Sequence, residues 1–111
     1  MQGAVSGLNC RRDAEIPRNP SEALEETHAA VAWYAQRTAR AMDALLNELD
    51  YAAQQISEKP ERFPAFVYGT RRILFRRFPY SLIFRETAAG VEIVAVAHGF
   101  REPGYWRARV G

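Results

Sequence analysis

The sequence is poor in the residues that make covalent or metal staples. One cysteine, Cys10, excludes an intrachain disulfide, and two histidines with no cysteine partners cannot complete a structural zinc site. No apolar run reaches the length of a membrane span, and the N-terminus lacks the apolar stretch of a secretory signal. The expectation is a soluble intracellular chain with no membrane partner, no metal and no cofactor. Lysine is nearly absent too: Lys59 stands alone against 14 arginines.

What is present divides the chain in two. With 111 residues, 48% of them hydrophobic, the chain can bury the core of one domain and not two. Residues 1–61 carry six Lys or Arg against ten Asp or Glu, whereas residues 62–111 carry nine against three. The basic charge of the second part is all arginine, whose planar fork pairs bidentately with phosphate or carboxylate and stacks on rings. The competing reading is a solvated strand face that keeps a small sheet soluble.

Residues 1–13 show no usable periodicity and are expected to form a loose arm, leaving 14–111 as a single domain. Asn19-Pro20-Ser21-Glu22 predicts a helix start, with Asn19 as N-cap, Pro20 at the first helical position and Glu22 in capping-box register. From 21 to 57 there is neither glycine nor proline. Leu24, Thr27, Val31, Tyr34 and Ala35 fall near one face, and Met42, Leu45, Leu46, Leu49, Ala53 and Ile56 form a stronger apolar stripe. One helix over the whole span could not fold back on a core, so a break is expected near Arg37, with Thr38 capping the second helix and Lys59-Pro60 closing it. Adjacent Trp33 and Tyr34 cannot both face the core, so one packs and the other flanks.

Beyond Phe63-Pro64-Ala65-Phe66, a linker packed by its aromatics, the period changes. Strands are predicted over Arg72–Phe78, Tyr80–Thr87 and Val91–Ala97, with a turn at Ala88-Ala89-Gly90. The third strand is almost wholly apolar and is expected to be central, covered on both faces. A helical hairpin on an antiparallel meander makes a two-layer α+β domain. Arg71, Arg72, Arg76, Arg77, Arg85, Arg101, Arg107 and Arg109, with Tyr105 and Trp106, are the candidate binding residues. Tyr105-Trp106 either cover the open end of the sheet or anchor a partner.

Trp33-Tyr34, Pro60 with Phe63-Pro64, Arg71-Arg72, Arg77-Phe78-Pro79-Tyr80, and His98 through Arg101, Pro103, Tyr105-Trp106 and Arg109 occur in an order that resembles the RelE/ParE superfamily of small bacterial toxins from type II toxin-antitoxin modules. Within it the chain is similar to the ParE-like, plasmid-stabilisation branch, over about Asn19 to Arg109. The resemblance implies a RelE/ParE-like fold: a short first strand, a helical hairpin and a three-stranded sheet, three to four strands in all. Arg12-Asp13-Ala14-Glu15-Ile16-Pro17 offers only a poor first strand, broken by Pro17.

The resemblance also implies a growth-inhibiting toxin of the bacterial cytoplasm, held inactive by a cognate, ParD-like antitoxin whose acidic tail pairs with toxin arginines. Its ParE-like members poison DNA gyrase, the expected target here. The alternative is RelE-like, metal-independent cleavage of mRNA on the ribosome. That chemistry needs a proton acceptor, a proton donor and cations on the phosphorane. His98, Arg101 and Tyr105 are the candidates, with Arg107 as a second clamp, and the competing reading of His98 is a hydrogen bond to a neighbouring turn. The scarcity of lysine weighs against the nuclease. A third reading is a non-catalytic protein- or nucleic-acid-binding module.

Overall fold

In a computed structural model, which describes residues 20–110, two helices come first among the described residues: α1, Ser21–Ala35, and α2, Ala39–Glu58. Pro20 is extended (φ −54°, ψ 158°) and its carbonyl accepts the Leu24 N–H at 3.0 Å, so it precedes the helix and is not its first residue. Pro20 itself therefore stands at the N-cap, the place expected of Asn19, and no side chain caps the helix; Asn19, the arm 1–13 and the first-strand candidate 12–17 lie outside the described residues. The break falls where expected. Arg37 and Thr38 both donate backbone N–H bonds to the Tyr34 carbonyl, and Thr38 then turns extended while its Oγ1 accepts the Ala41 N–H at 2.9 Å. A hydroxyl cap thus starts α2 without glycine. Lys59 closes α2, because Pro60 cannot continue it.

The sheet has the order β1-β2-β3, all antiparallel: β1 Arg71–Leu74, β2 Tyr80–Thr87, β3 Gly90–His98. Two expectations are corrected. The first strand ends at Leu74 and not Phe78, because the chain reverses tightly there. Phe75 donates its N–H to the Tyr80 carbonyl, the Glu48 carboxylate of α2 accepts the Arg76 N–H at 2.6 Å, and Pro79 has no N–H to extend a ladder. Among the described residues the third strand is an edge of this sheet and β2 is its centre. Val91 through Val96 are buried all the same, because helices cover one face and the C-terminal segment the other. Among the described residues its apolar run answers to two covered faces and one neighbouring strand.

The helix-side core joins Leu45, Ala52 and Ile56 of α2 and Ala23 and Ala30 of α1 to Leu82, Phe84, Val91 and Ile93. On α1 the buried line is Ala23, Ala30 and the half-buried Tyr34, whereas Leu24 and Ala35 face solvent. Small residues bring that helix close to β3. On the far face Ile83, Val94 and Ala95 pack against Trp106, with Phe66, Tyr105 and Val110 around it. The register steps from Ile83↔Ala95 to Phe84↔Ile93, a bulge that leaves Val94 without a partner strand residue.

Candidate functional site

The C-terminal segment leaves β3 at His98, turns at Gly99–Arg101, and ends in a single 3₁₀ turn over Arg107–Arg109. Trp106, 1% exposed, anchors it, and the ring of Phe66 lies 6.0 Å away. Gly104 is required at its turn. It has φ +85°, and a Cβ there would stand 2.8 Å from Cε2 of Tyr68, whose ring makes an edge-on contact with Trp106.

Glu26 of α1 draws the segment together from the other side. Its carboxylate accepts the Tyr105 hydroxyl at 2.5 Å and two Arg109 guanidinium N–H groups at 3.1 and 3.2 Å. Glu26 also accepts the Val96 backbone N–H at 3.0 Å, and Arg109 donates to the Val94 carbonyl at 3.1 Å. The clasp therefore takes up a carbonyl and an amide of β3. Burial, then the hydrogen bond and negative charge of Glu26, push the Tyr105 phenol far above its ordinary value, against a smaller pull downward from Arg101 and Arg109. Burial draws Arg109 down, but the bond to Glu26 and its charge outweigh this and leave the guanidinium raised.

The arginines divide into two sets. Arg71 donates to the Phe63 carbonyl at 2.6 Å and pairs with Glu86 at 3.6 Å. Arg85 pairs with Glu92 at 2.8 Å and donates to the Val110 carbonyl at 3.0 Å. With Arg109, these arginines tie the fold. Arg72 lies over Phe66 (4.2 Å), Arg107 over Tyr68 (5.0 Å) and Arg101 over Tyr105 (3.7 Å), each on a ring and without a carboxylate partner among the described residues. Arg76 and Arg77 stand at the tight turn after β1.

Two clefts result. A cleft of about 460 Å³ between α1 and the β2–β3 end is lined by Glu26, Trp33, Tyr34, Tyr80, His98 and Arg101. Burial, and secondarily Tyr34, raises the Tyr80 phenol. His98 Nδ1 accepts the Phe100 N–H at 3.1 Å, which is the turn bond of its competing reading. A larger groove, about 690 Å³, runs between α2 and β1, with Tyr51 and Leu74 each 61% exposed and Arg40, Arg76 and Arg77 around it. Among the described residues no three His, Cys, Asp or Glu side chains gather to hold a metal ion, and no helix is long and apolar enough to cross a membrane.

Of the sequence candidates, His98 and Arg101 share the smaller cleft, and Tyr105 supports Arg101 from behind. Trp106 covers the sheet, and Tyr34 packs against Phe78 at 5.0 Å while Trp33 flanks, 49% exposed beneath Arg37 at 3.5 Å. Sequence reading passed over Glu26, which looks like one more solvated helix carboxylate. It also passed over Phe100, 94% exposed, although a lone phenylalanine between Gly99 and Arg101 in a turn is a readable signal.

The sequence model of the family described as "ParE toxin of type II toxin-antitoxin system, parDE" matches residues 20–111. Toxin ParE2 from two strains of Mycobacterium tuberculosis, CDC 1551 and H37Rv, is 28% identical over 87 residues, covering 78% of this chain and 83% of the relative. Among solved structures, a chain of the chromosomal ParDE TA system from P. aeruginosa superposes with a TM-score of 0.62 at 16% identity, over 76% of this chain and 97% of that one. At that identity the likeness concerns the fold: two helices on a three-stranded antiparallel sheet.

Proposed function

We propose, since this chain belongs to the ParE toxin family of type II toxin-antitoxin systems, that it arrests bacterial growth from the cytoplasm by inhibiting DNA gyrase, and that a cognate ParD-like antitoxin restrains it. The observation that carries the choice of target is the state of the groups a ribonuclease would need. His98 uses Nδ1 as an acceptor for the Phe100 N–H, so in the neutral ring the proton sits on Nε2, and serving as a base costs that turn bond. Tyr105 spends its hydroxyl on Glu26, with its ionisation pushed out of the useful range. Arg109 is neutralised by the same carboxylate. The cations left over, Arg72, Arg76, Arg77, Arg101 and Arg107, suit docking to a large anionic or acidic partner.

For the antitoxin, the α2–β1 groove is the fitting surface. Leu74 and Tyr51 offer apolar area, and Arg40, Arg76 and Arg77 exceed the acids Asp43 and Glu48, of which Glu48 already accepts the Arg76 N–H. An amphipathic acidic segment complements that pattern.

Supercoiling and cleavage-complex assays with purified gyrase, run beside ribosome-dependent mRNA cleavage, test the target. The expected result is gyrase inhibition with intact mRNA; untouched gyrase at stoichiometric toxin together with cut mRNA overturns it.

A further inference from the structure

We propose that Glu26 is a positioning residue for the target-binding surface: by holding the Tyr105 hydroxyl and the Arg109 guanidinium on one carboxylate, it fixes the ring on which Arg101 rests and so sets the direction in which Arg101 meets the target. The proposal rests on the reading above of Arg101 as one of the cations that dock a large anionic or acidic partner, and takes that partner to be the target.

Arg101 has no carboxylate partner among the described residues. Its guanidinium lies 3.7 Å from the centre of the Tyr105 ring, and that stack is its side-chain restraint. Tyr105 is placed in turn by a 2.5 Å hydrogen bond to Glu26, and Arg109, 5.3 Å from the same ring, is held by two more bonds to that carboxylate. A chain of contacts thus runs from the middle of α1 to an exposed cation 75 positions later in sequence. Glu26 and Arg101 line the same cleft, the glutamate half-buried and the arginine exposed.

Anchoring the segment does not by itself require this arrangement. Trp106 already fastens it to Ile83 and Val94, and a half-buried carboxylate satisfied by four donors is a costly way to add adhesion, since apolar side chains of similar volume commonly do as well. What the carboxylate adds is direction. It accepts from a hydroxyl, a guanidinium and a backbone amide at once, and can do so in one orientation.

The test uses the full chain labelled on arginine nitrogen, with growth arrest on induction as the second readout and a thermal melt as a check of folding. In the wild type the Arg101 side-chain resonance is expected to be ring-shifted by Tyr105. In Tyr105→Phe, which keeps the ring and removes the bond to Glu26, and in Glu26→Leu, the shift collapses towards that of a free arginine. Growth arrest weakens roughly tenfold or more, the scale of one lost hydrogen bond to a charged group. Glu26→Gln keeps one oxygen for the hydroxyl but turns an amide NH2 group towards the Val96 N–H and the Arg109 guanidinium, so it is expected to fall between the wild type and Glu26→Leu in both readouts. If Glu26→Leu does not fold, Tyr105→Phe carries the same two readouts. A folded Tyr105→Phe with an unmoved Arg101 resonance and full growth arrest overturns the proposal. Arg101→Ala separates the layers: full growth arrest without Arg101 removes the reading of the surface itself, whereas loss of arrest there, with no effect at Tyr105, removes the positioning role alone.

Discussion

The two faces of the sheet are covered by different means. On one side α1 and α2 lay down alanine, leucine and isoleucine against Leu82, Phe84 and Ile93, and the contact is almost wholly apolar. On the other, a segment with one 3₁₀ turn inserts a single large ring, Trp106, and surrounds it with arginine: Arg85 to Glu92 and the Val110 carbonyl, Arg109 to Glu26 and the Val94 carbonyl. The helical cover spreads its stabilisation over many small burials. The C-terminal cover concentrates it in one residue and fixes its position with directional bonds. A surface that must present particular side chains to a partner gains more from the second arrangement, since apolar contact is non-directional.

Trp106→Ala strikes that comparison hardest. Removing a fully buried tryptophan costs about 3–5 kcal/mol, and chemical denaturation is expected to show a lower midpoint with the C-terminal amides losing hydrogen-exchange protection before those of α2. Ile56→Ala, on the helical side, is expected to cost about 2–4 kcal/mol, lowering protection on both faces together. Equal and global loss in both variants would mean that the two covers are one cooperative unit. Gly104→Ala forces a side chain into positive φ and against the Tyr68 ring, for about 1–3 kcal/mol, read as a drop in melting temperature with reduced tryptophan burial by fluorescence. Thr38→Ala removes the cap of α2 for about 1 kcal/mol, visible as fraying of its first turn in exchange data and leaving Trp106 fluorescence unchanged.

A pH titration is expected to have the smallest effect and to touch only the clasp. Tyr105 in the folded state has its pKa raised above the ordinary phenol value of 10.0. Its contribution is therefore fully present below about pH 10 and fades as pH climbs towards the raised folded value. Alkaline unfolding of the wild type should be steeper than that of Tyr105→Phe.

The helical cover was legible in sequence because it follows rules of period and punctuation. Thr38 could be named as a cap from its place between two apolar stripes, and β2 could be bounded at Tyr80 and Thr87 because Pro79 and Gly90 flank it closely. The face of α1 was read in part: Val31 and Tyr34 do pack on the core, but its fully buried residues are alanine, which pattern reading weighs less than the exposed Leu24. The C-terminal cover was only half legible. Trp106 announced a large burial without saying where, and the division of the arginines between ties and free cations depends on partners far off in sequence, such as Glu26 and Arg109, whose pairing no local period encodes. Strand order was hidden for the same reason: β3 looks central because both its faces are covered.

β3 is nearly all apolar from Val91 to Ala97 and, among the described residues, stands at the edge of the sheet, the composition and placement that most invite a second copy to pair and begin a fibre. The bulge at Val94 spoils the regular spacing there, and the Glu26–Arg109 clasp already occupies the Val94 carbonyl and the Val96 amide with charged side chains. A copy approaching along that edge finds two ladder positions taken and an ion pair in its path. The clasp therefore puts charge where a second copy would have to pair, and a variant that opens it is expected to aggregate more readily than its loss of stability alone accounts for.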